Sequence, residues 1–136
     1  MLIVDTGVIV AATDTTDRHH QRCVALLETE PGPVVTSAMV IAECAYLIER
    51  ELGATVEATL YEAILDSALH VENLTAADWA RVQELVTAYA DLPLGGTDAS
   101  MIALAERLGQ TRVATLDRRH FAVVRPTNCD AFDLIP

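Results

Sequence analysis

Leu2-Ile3-Val4-Asp5-Thr6-Gly7 opens the chain, and how this stretch reads decides the fold. Three successive apolar residues form a short, unbroken run, the pattern of a strand buried on both faces. Asp5 follows at once, and Thr6-Gly7 turn the chain toward a helix expected over Gly7 to Thr13. A strand, an acid at its carboxyl end and a helix form the unit from which open α/β sheets are built. Ligands of such sheets lie outside the carboxyl ends of the strands.

The same alternation continues outward from this start. Asp17 stands as N-cap of a helix expected to reach about Thr29, and Pro31-Gly32-Pro33 breaks the chain before a strand at Val34-Val35. Ser37 to Leu52 reads as a helix ended by Gly53, Thr55 to Leu69 as a second, and the two as a helical hairpin. His70 to Asn73 is a strand candidate, and Thr75 to Tyr89 a helix whose Thr75-Ala76-Ala77-Asp78 start resembles a capping box. After the Pro93 and Gly95-Gly96 loop, Thr97 is expected to cap a helix ending at Gly109. Strands follow at Val113 to Leu116 and Phe132 to Ile135. Alternating strands and helices imply an α/β domain with a mainly parallel sheet, and 136 residues fit one such domain, spanning 1–136.

Composition narrows the setting. Half of the residues are hydrophobic and few are aromatic, which suits helices packed on a sheet. The apolar run from Val8 to Ala12 is too short to span a membrane, and no basic residue precedes it as in a signal peptide. Three widely spaced cysteines, Cys23, Cys44 and Cys129, suit reduced thiols in a cytoplasmic protein, not a disulfide framework. The net charge of −11 argues against a nucleic-acid partner, yet all nine basic residues are Arg. Four of them, Arg112, Arg118, Arg119 and Arg125, crowd into one stretch, and Arg18-His19-His20 with Arg22 make a second basic patch.

Four acids stand apart from the ordinary solvated ones. Asp5 ends the first strand, where it can also cap the following helix. Glu43 has Met39, Val40, Tyr46 and Leu47 as its helical neighbours, which sets it on the apolar stripe. A lone buried carboxylate there needs a counter-charge, with Arg50 a full heptad away, so a bound cation is the economical reading; the alternative is a Glu43 at the margin of the stripe that reaches water. Asp98 lies in the first turn of a helix, where the dipole favours a carboxylate. Asp117 repeats the Asp5 pattern after Val113-Ala114-Thr115-Leu116. Oxygen donors without a Cys or His ligand set suit Mg²⁺ or Mn²⁺ better than zinc.

The ordered set LIVDTG, VIAE, GTDAS and ATLDRRHF resembles the four acidic motifs of PIN domains, over essentially the whole chain. The last of them, followed by Arg125-Pro126, is similar to one subgroup of VapC toxins. The resemblance implies a PIN-like three-layer α/β/α sandwich with a mainly parallel central sheet. It implies that Asp5, Glu43, Asp98 and Asp117 hold Mg²⁺ or Mn²⁺ and carry catalysis, with Thr6, Thr97, Ser100 and Thr115 as supporting polar groups. It further implies an endoribonuclease toxin acting on structured tRNA or rRNA, a VapB-like antitoxin and a homodimer. Arg112, Arg118 and Arg119 are expected to contact RNA phosphates. The stripe Met101, Ile102, Ala105 and Leu108 is considered for a dimer surface.

Other readings fit less well. A haloacid-dehalogenase-like phosphatase needs a second Asp where Gly7 stands, and a response-regulator receiver needs a Lys, of which there is none. A PIN-related DNA nuclease carries more acids and long helical insertions. A catalytically silent PIN-like scaffold that binds a protein partner would not need the intact acid set.

Overall fold

A computed structural model describes residues 1–136. Five strands and seven helices alternate: β1 (Leu2–Val4), α1 (Thr6–Thr13), α2 (His20–Thr29), β2 (Val34–Ser37), α3 (Ala38–Leu52), α4 (Ala54–Leu65), β3 (His70–Glu72), α5 (Ala76–Ala88), α6 (Gly96–Arg107), β4 (Arg112–Ala114), α7 (Arg118–Val123) and β5 (Asp133–Ile135). The strands form one sheet in the order β3-β2-β1-β4-β5, and every pairing is parallel. The expected α/β sandwich with a parallel sheet is therefore what the chain forms. No helix is long and apolar enough to cross a membrane.

β1 is the centre of the sheet, and all three of its residues are fully buried. From β1 the chain builds β2 and β3 on one side, then crosses back to add β4 and β5 on the other. This reversal falls between β1 and β4. A parallel sheet opens a crevice at such a point, outside the carboxyl ends of the two strands. Asp5 follows β1 directly, and Thr115 follows β4 directly.

Helices supply the outer layers. α1 packs on α2 and α3, α3 packs on α4 and α6, α5 packs on α6, and α6 lies against β1 and β2. The expected hairpin is α3 with α4, joined at Gly53, whose φ of 88° no β-carbon-bearing residue adopts readily. α6 is the central helix. Its residues Ala99 to Ala105 are all buried, and a helix apolar on every side belongs in a core. Met101, Ile102 and Ala105 are thus covered within this chain, and Leu108 packs against the same core. The stripe considered for a dimer surface is interior.

Several element ends differ from the sequence reading for local reasons. Asp17 does not cap α2. Its carboxylate accepts the His19 amide at 2.7 Å and shapes the turn before the helix, which starts at His20 without a side-chain cap. α4 stops at Leu65 because Ser67 takes a positive φ of 61°. α6 begins one residue before Thr97, with Gly95 as N-cap, so Thr97 sits inside the first turn. The capping box at Thr75 and Asp78 forms as expected, and Asp78 also takes an ion pair from Arg107 at 2.8 Å. α7 was not foreseen. It is six residues long and carries the Arg118-Arg119-His120 stretch that sequence alone presents as a run of charges.

Candidate active site

Asp5 lies at the sheet's carboxyl edge with only 5% of its surface exposed. Its position satisfies both roles that the sequence leaves open. Oδ1 accepts the Thr6 amide at 2.7 Å and caps α1, while Oδ2 accepts the Thr115 hydroxyl at 2.9 Å. Burial, then the negative charge of Asp98, push the Asp5 carboxyl from its ordinary 3.8 up to about 6, against the pull of these two hydrogen bonds.

Glu43 comes in from α3. It is exposed, not buried, because the inward line of α3 is Val40, Cys44 and Ile48, one position round the helix from Glu43. Burial therefore gives Glu43 no need of a cation. Its location is what matters: Oε2 accepts the Thr6 hydroxyl at 2.5 Å. One residue, Thr6, thus hands its amide to Asp5 and its hydroxyl to Glu43. Cys44 beside it is a buried packing residue, with its thiol pushed up to about 12 by burial and by the charges of Asp5 and Glu43.

Asp98 stands in the first turn of α6, half-buried, and Oδ2 accepts from His120 Nδ1 at 2.7 Å. Burial raises its carboxyl, the contact with His120 opposes the rise, and the charges of Asp117 and Glu43 add to it. Asp117 is more peripheral, with a 53% exposed side chain. Its carboxylate lies 3.6 Å from the same His120 nitrogen, and its amide donates to the Thr115 hydroxyl at 3.1 Å. Asp5, Glu43, Asp98 and Asp117 therefore share one electrostatic field, contributed from β1, α3, α6 and the start of α7.

The supporting residues divide into two groups. Thr6 and Thr115 bond the acids directly. Ser100 does not: its hydroxyl meets that of Ser37 at 2.9 Å and donates to the Thr97 carbonyl at 2.7 Å. Because Ser37 caps α3 and Ser100 belongs to α6, this contact ties together the helix starts that carry Glu43 and Asp98. Thr97 contributes only that carbonyl. A β-carbon at Gly96 would meet Met39 Cε, the flexible end of its side chain, at 3.2 Å, and one at Gly95 would meet nothing within 4 Å.

His120 is the site residue that sequence reasoning missed. The signal was its place three residues after Asp117, which a short helix brings to the same side. The arginines also need correction. Arg112 begins β4, at the opposite edge of the sheet from the acids, and pairs with Glu30 at 3.0 Å. It is not at the rim of the site. Arg118 is exposed on α7 and donates to the Pro136 carbonyl at 2.6 Å, while Arg119 is exposed without an ion-pair partner.

The donor set is oxygen throughout, apart from the histidine. None of the arginines pairs with Asp5, Glu43, Asp98 or Asp117. The side chains do not converge into a closed cage of three ligands; hydrogen bonds from Thr6, Thr115 and His120 hold Asp5, Glu43 and Asp98 separately. An open set of carboxylates with room for water suits Mg²⁺ or Mn²⁺, which keep several waters and use one or two protein carboxylates.

These features meet a family whose model, the PIN domain, matches residues 2–125. The chain belongs to the PIN-domain family. Within that family it is VapC-like. It is 30% identical to Ribonuclease VapC26 of Mycobacterium tuberculosis over 135 residues, which cover 99% of this chain and 100% of that one. The crystal structure of Mycobacterium tuberculosis VapC20, a sarcin-ricin loop cleaving toxin, superposes with a TM-score of 0.78 at 23% identity. That match covers 83% of this chain and 87% of the other. VapBC2 from Rickettsia felis, bound to a DNA fragment from its promoter, gives 0.71 at 17% identity over 99% and 98% of the two chains. At these identities the structural likeness speaks for the fold. The parallel sheet is thus the family's frame, and in this chain Asp5, Glu43, Asp98 and Asp117 lie beside one another at its carboxyl edge.

Proposed function

We propose that this PIN domain is an endoribonuclease toxin that hydrolyses phosphodiester bonds in structured RNA, tRNA or rRNA, with Mg²⁺ or Mn²⁺ held by Asp5, Glu43, Asp98 and Asp117. The observation that carries the reading is an acid cluster that no arginine neutralises, with His120 as its basic contact. Asp5 is buried beside Asp98, and no arginine balances either charge. Such clustering costs stability without a cation, and carboxylates shifted by burial and by one another mark a candidate functional site.

A divalent cation bound there would lower the pKa of a water and offset charge on the phosphate. The chain's own residues prepare the place. Thr6 and Thr115 fix Asp5, Thr6 also orients Glu43, and the Ser37–Ser100 contact sets the two helix starts relative to each other. Arg118 and Arg119 lie on the helix that begins at Asp117, where they can meet phosphates flanking the scissile bond.

The same acidic crevice would draw a basic segment of a VapB-like antitoxin. An arginine fork placed among Asp5, Glu43 and Asp98 would pair two carboxylate oxygens at once and close the crevice to RNA. Solved neighbours that include VapBC2 on promoter DNA support a partner of this kind. A homodimer would need a surface other than α6; Trp79 and Val86, exposed seven positions apart on α5, offer one.

The test is cleavage of structured RNA transcripts in Mn²⁺, compared with Asp5→Asn and Asp98→Asn variants and with EDTA. Loss of cleavage in both variants and in EDTA is expected. Cleavage that survives either substitution, or survives chelation, would remove the reading.

A further inference from the structure

Three of the four acids have their own hydrogen-bond donors. Asp5 has Thr115 and the Thr6 amide, and Glu43 has the Thr6 hydroxyl. Asp98 has a single donor, His120 Nδ1, at 2.7 Å. The same nitrogen lies 3.6 Å from Asp117. One imidazole therefore stands between an acid of α6 and the acid that starts α7.

The ring is not an ordinary packing histidine. Its side chain is 13% exposed, yet Nε2 is buried without any partner. Burying an unpaired polar nitrogen costs free energy. Here the nitrogen toward the acids is satisfied and the other is not, so the contact with Asp98 outweighs that cost.

α7 depends on such an anchor. A helix of six residues is not stable by itself. Phe121 is its only fully buried residue, and Asp117 makes no side-chain cap at its start. Apart from Phe121, what ties α7 to the crevice is the Thr115 contact to the Asp117 amide and the His120 contact to Asp98.

We infer that His120 is a positioning residue: it fixes the Asp98 carboxylate and, through α7, Asp117, in the arrangement that takes up a divalent cation. The inference rests on the metal-dependent reading above. Residues that orient metal-binding side chains typically govern affinity by about 10- to 100-fold.

Three variants test it by calorimetric Mn²⁺ titration of the purified chain, each with a thermal melt. His120→Ala should weaken Mn²⁺ binding by about 10- to 100-fold. In His120→Asn the amide nitrogen reaches the place of Nδ1, so most of the affinity should return. In His120→Gln the amide reaches toward the place of Nε2 instead, and affinity should stay low. If His120→Ala does not fold, the Asn and Gln variants still decide by the difference between them. Wild-type affinity in His120→Ala, or equal losses in Asn and Gln that track lowered melting temperatures, would overturn the inference and leave the nuclease reading standing. A wild-type chain that takes up no Mn²⁺ would overturn both.

Discussion

Thr115 donates its hydroxyl to Asp5 Oδ2 at 2.9 Å across 110 positions of sequence, joining the residue after β4 to the residue after β1. The bond lies across the reversal of strand order, so the crevice and its central acid are fixed by one contact. The same hydroxyl oxygen accepts the Asp117 amide. Replacing Thr115 with Val keeps the shape and removes both links. It should destabilise the metal-free protein by about 1–3 kcal/mol, since a buried carboxylate loses a donor. Thr115→Ser should recover most of this. Urea unfolding in EDTA at pH 7.5 measures it, and a Val variant as stable as wild type would show that the bond contributes nothing net.

Asp5 gives a pH dependence of definite sign. Its folded carboxyl sits at about 6, above its ordinary 3.8, so the folded state binds this proton more tightly than the unfolded chain does. Its contribution to stability is full below about 4 and is lost as pH rises through about 6. Asp98 is shifted in the same direction. At about 1.4 kcal/mol per pKa unit, the ionised Asp5 costs the metal-free protein roughly 3 kcal/mol at neutral pH. Asp5→Asn keeps an oxygen to cap α1 and removes the charge. In EDTA the variant should be more stable than wild type by about 1–3 kcal/mol at pH 7.5, with the advantage gone near pH 4. Equal stability of the two proteins at pH 7.5 would mean that Asp5 is not under this stress.

How far the sequence discloses the site depends on the range of the interaction that places each residue. Asp5 was legible because its position follows from four consecutive residues: an apolar strand, then an acid. Glu43 was found by an argument that the structure does not support. Helical periodicity located the apolar stripe of α3 within one position, and that one position separates the buried Cys44 from the exposed Glu43. His120 was missed because α7 has too few residues to show a period, and its contact with Asp98 bridges 22 positions. Arg112 was misplaced by proximity in sequence. It stands near Arg118 and Arg119, but a strand and a turn put it at the far edge of the sheet.

The Ser37–Ser100 contact makes a separate prediction about the scaffold. Both residues are fully buried, and Ser37 also accepts the Val40 amide at 3.3 Å as the cap of α3. Ser100→Ala leaves that cap intact but removes one partner of a buried pair, together with the local bond to the Thr97 carbonyl. The cost should be about 1 kcal/mol, whereas Ser37→Ala, which also removes the cap, should cost about 2. Chemical denaturation of the two variants checks the order. If Ser100→Ala proved the more damaging, the Ser100 bond to the Thr97 carbonyl would outweigh the cap of α3.

On the proposed ribonuclease reading, arginines would have to offset the field of an acidic chain toward RNA, and the geometry separates them. Arg118 and Arg119 are exposed at the start of α7, directly after Asp117, while Arg112 is held by Glu30 at the opposite edge of the sheet. RNA that reaches the acids passes the first pair and not the third. In a cleavage-silent Asp98→Asn background, Arg118→Ala with Arg119→Ala should therefore weaken RNA binding. Each lost phosphate contact on a single strand should flatten the slope of log affinity against log salt by about 0.7. Arg112→Ala should leave both affinity and slope unchanged, and lower stability slightly through Glu30, whose side chain is almost fully buried. Fluorescence anisotropy at several salt concentrations reads both quantities. If Arg112→Ala flattened the slope as much as the double variant, RNA would have to cross the far edge of the sheet, and the crevice beside Asp5 would not be where it is held.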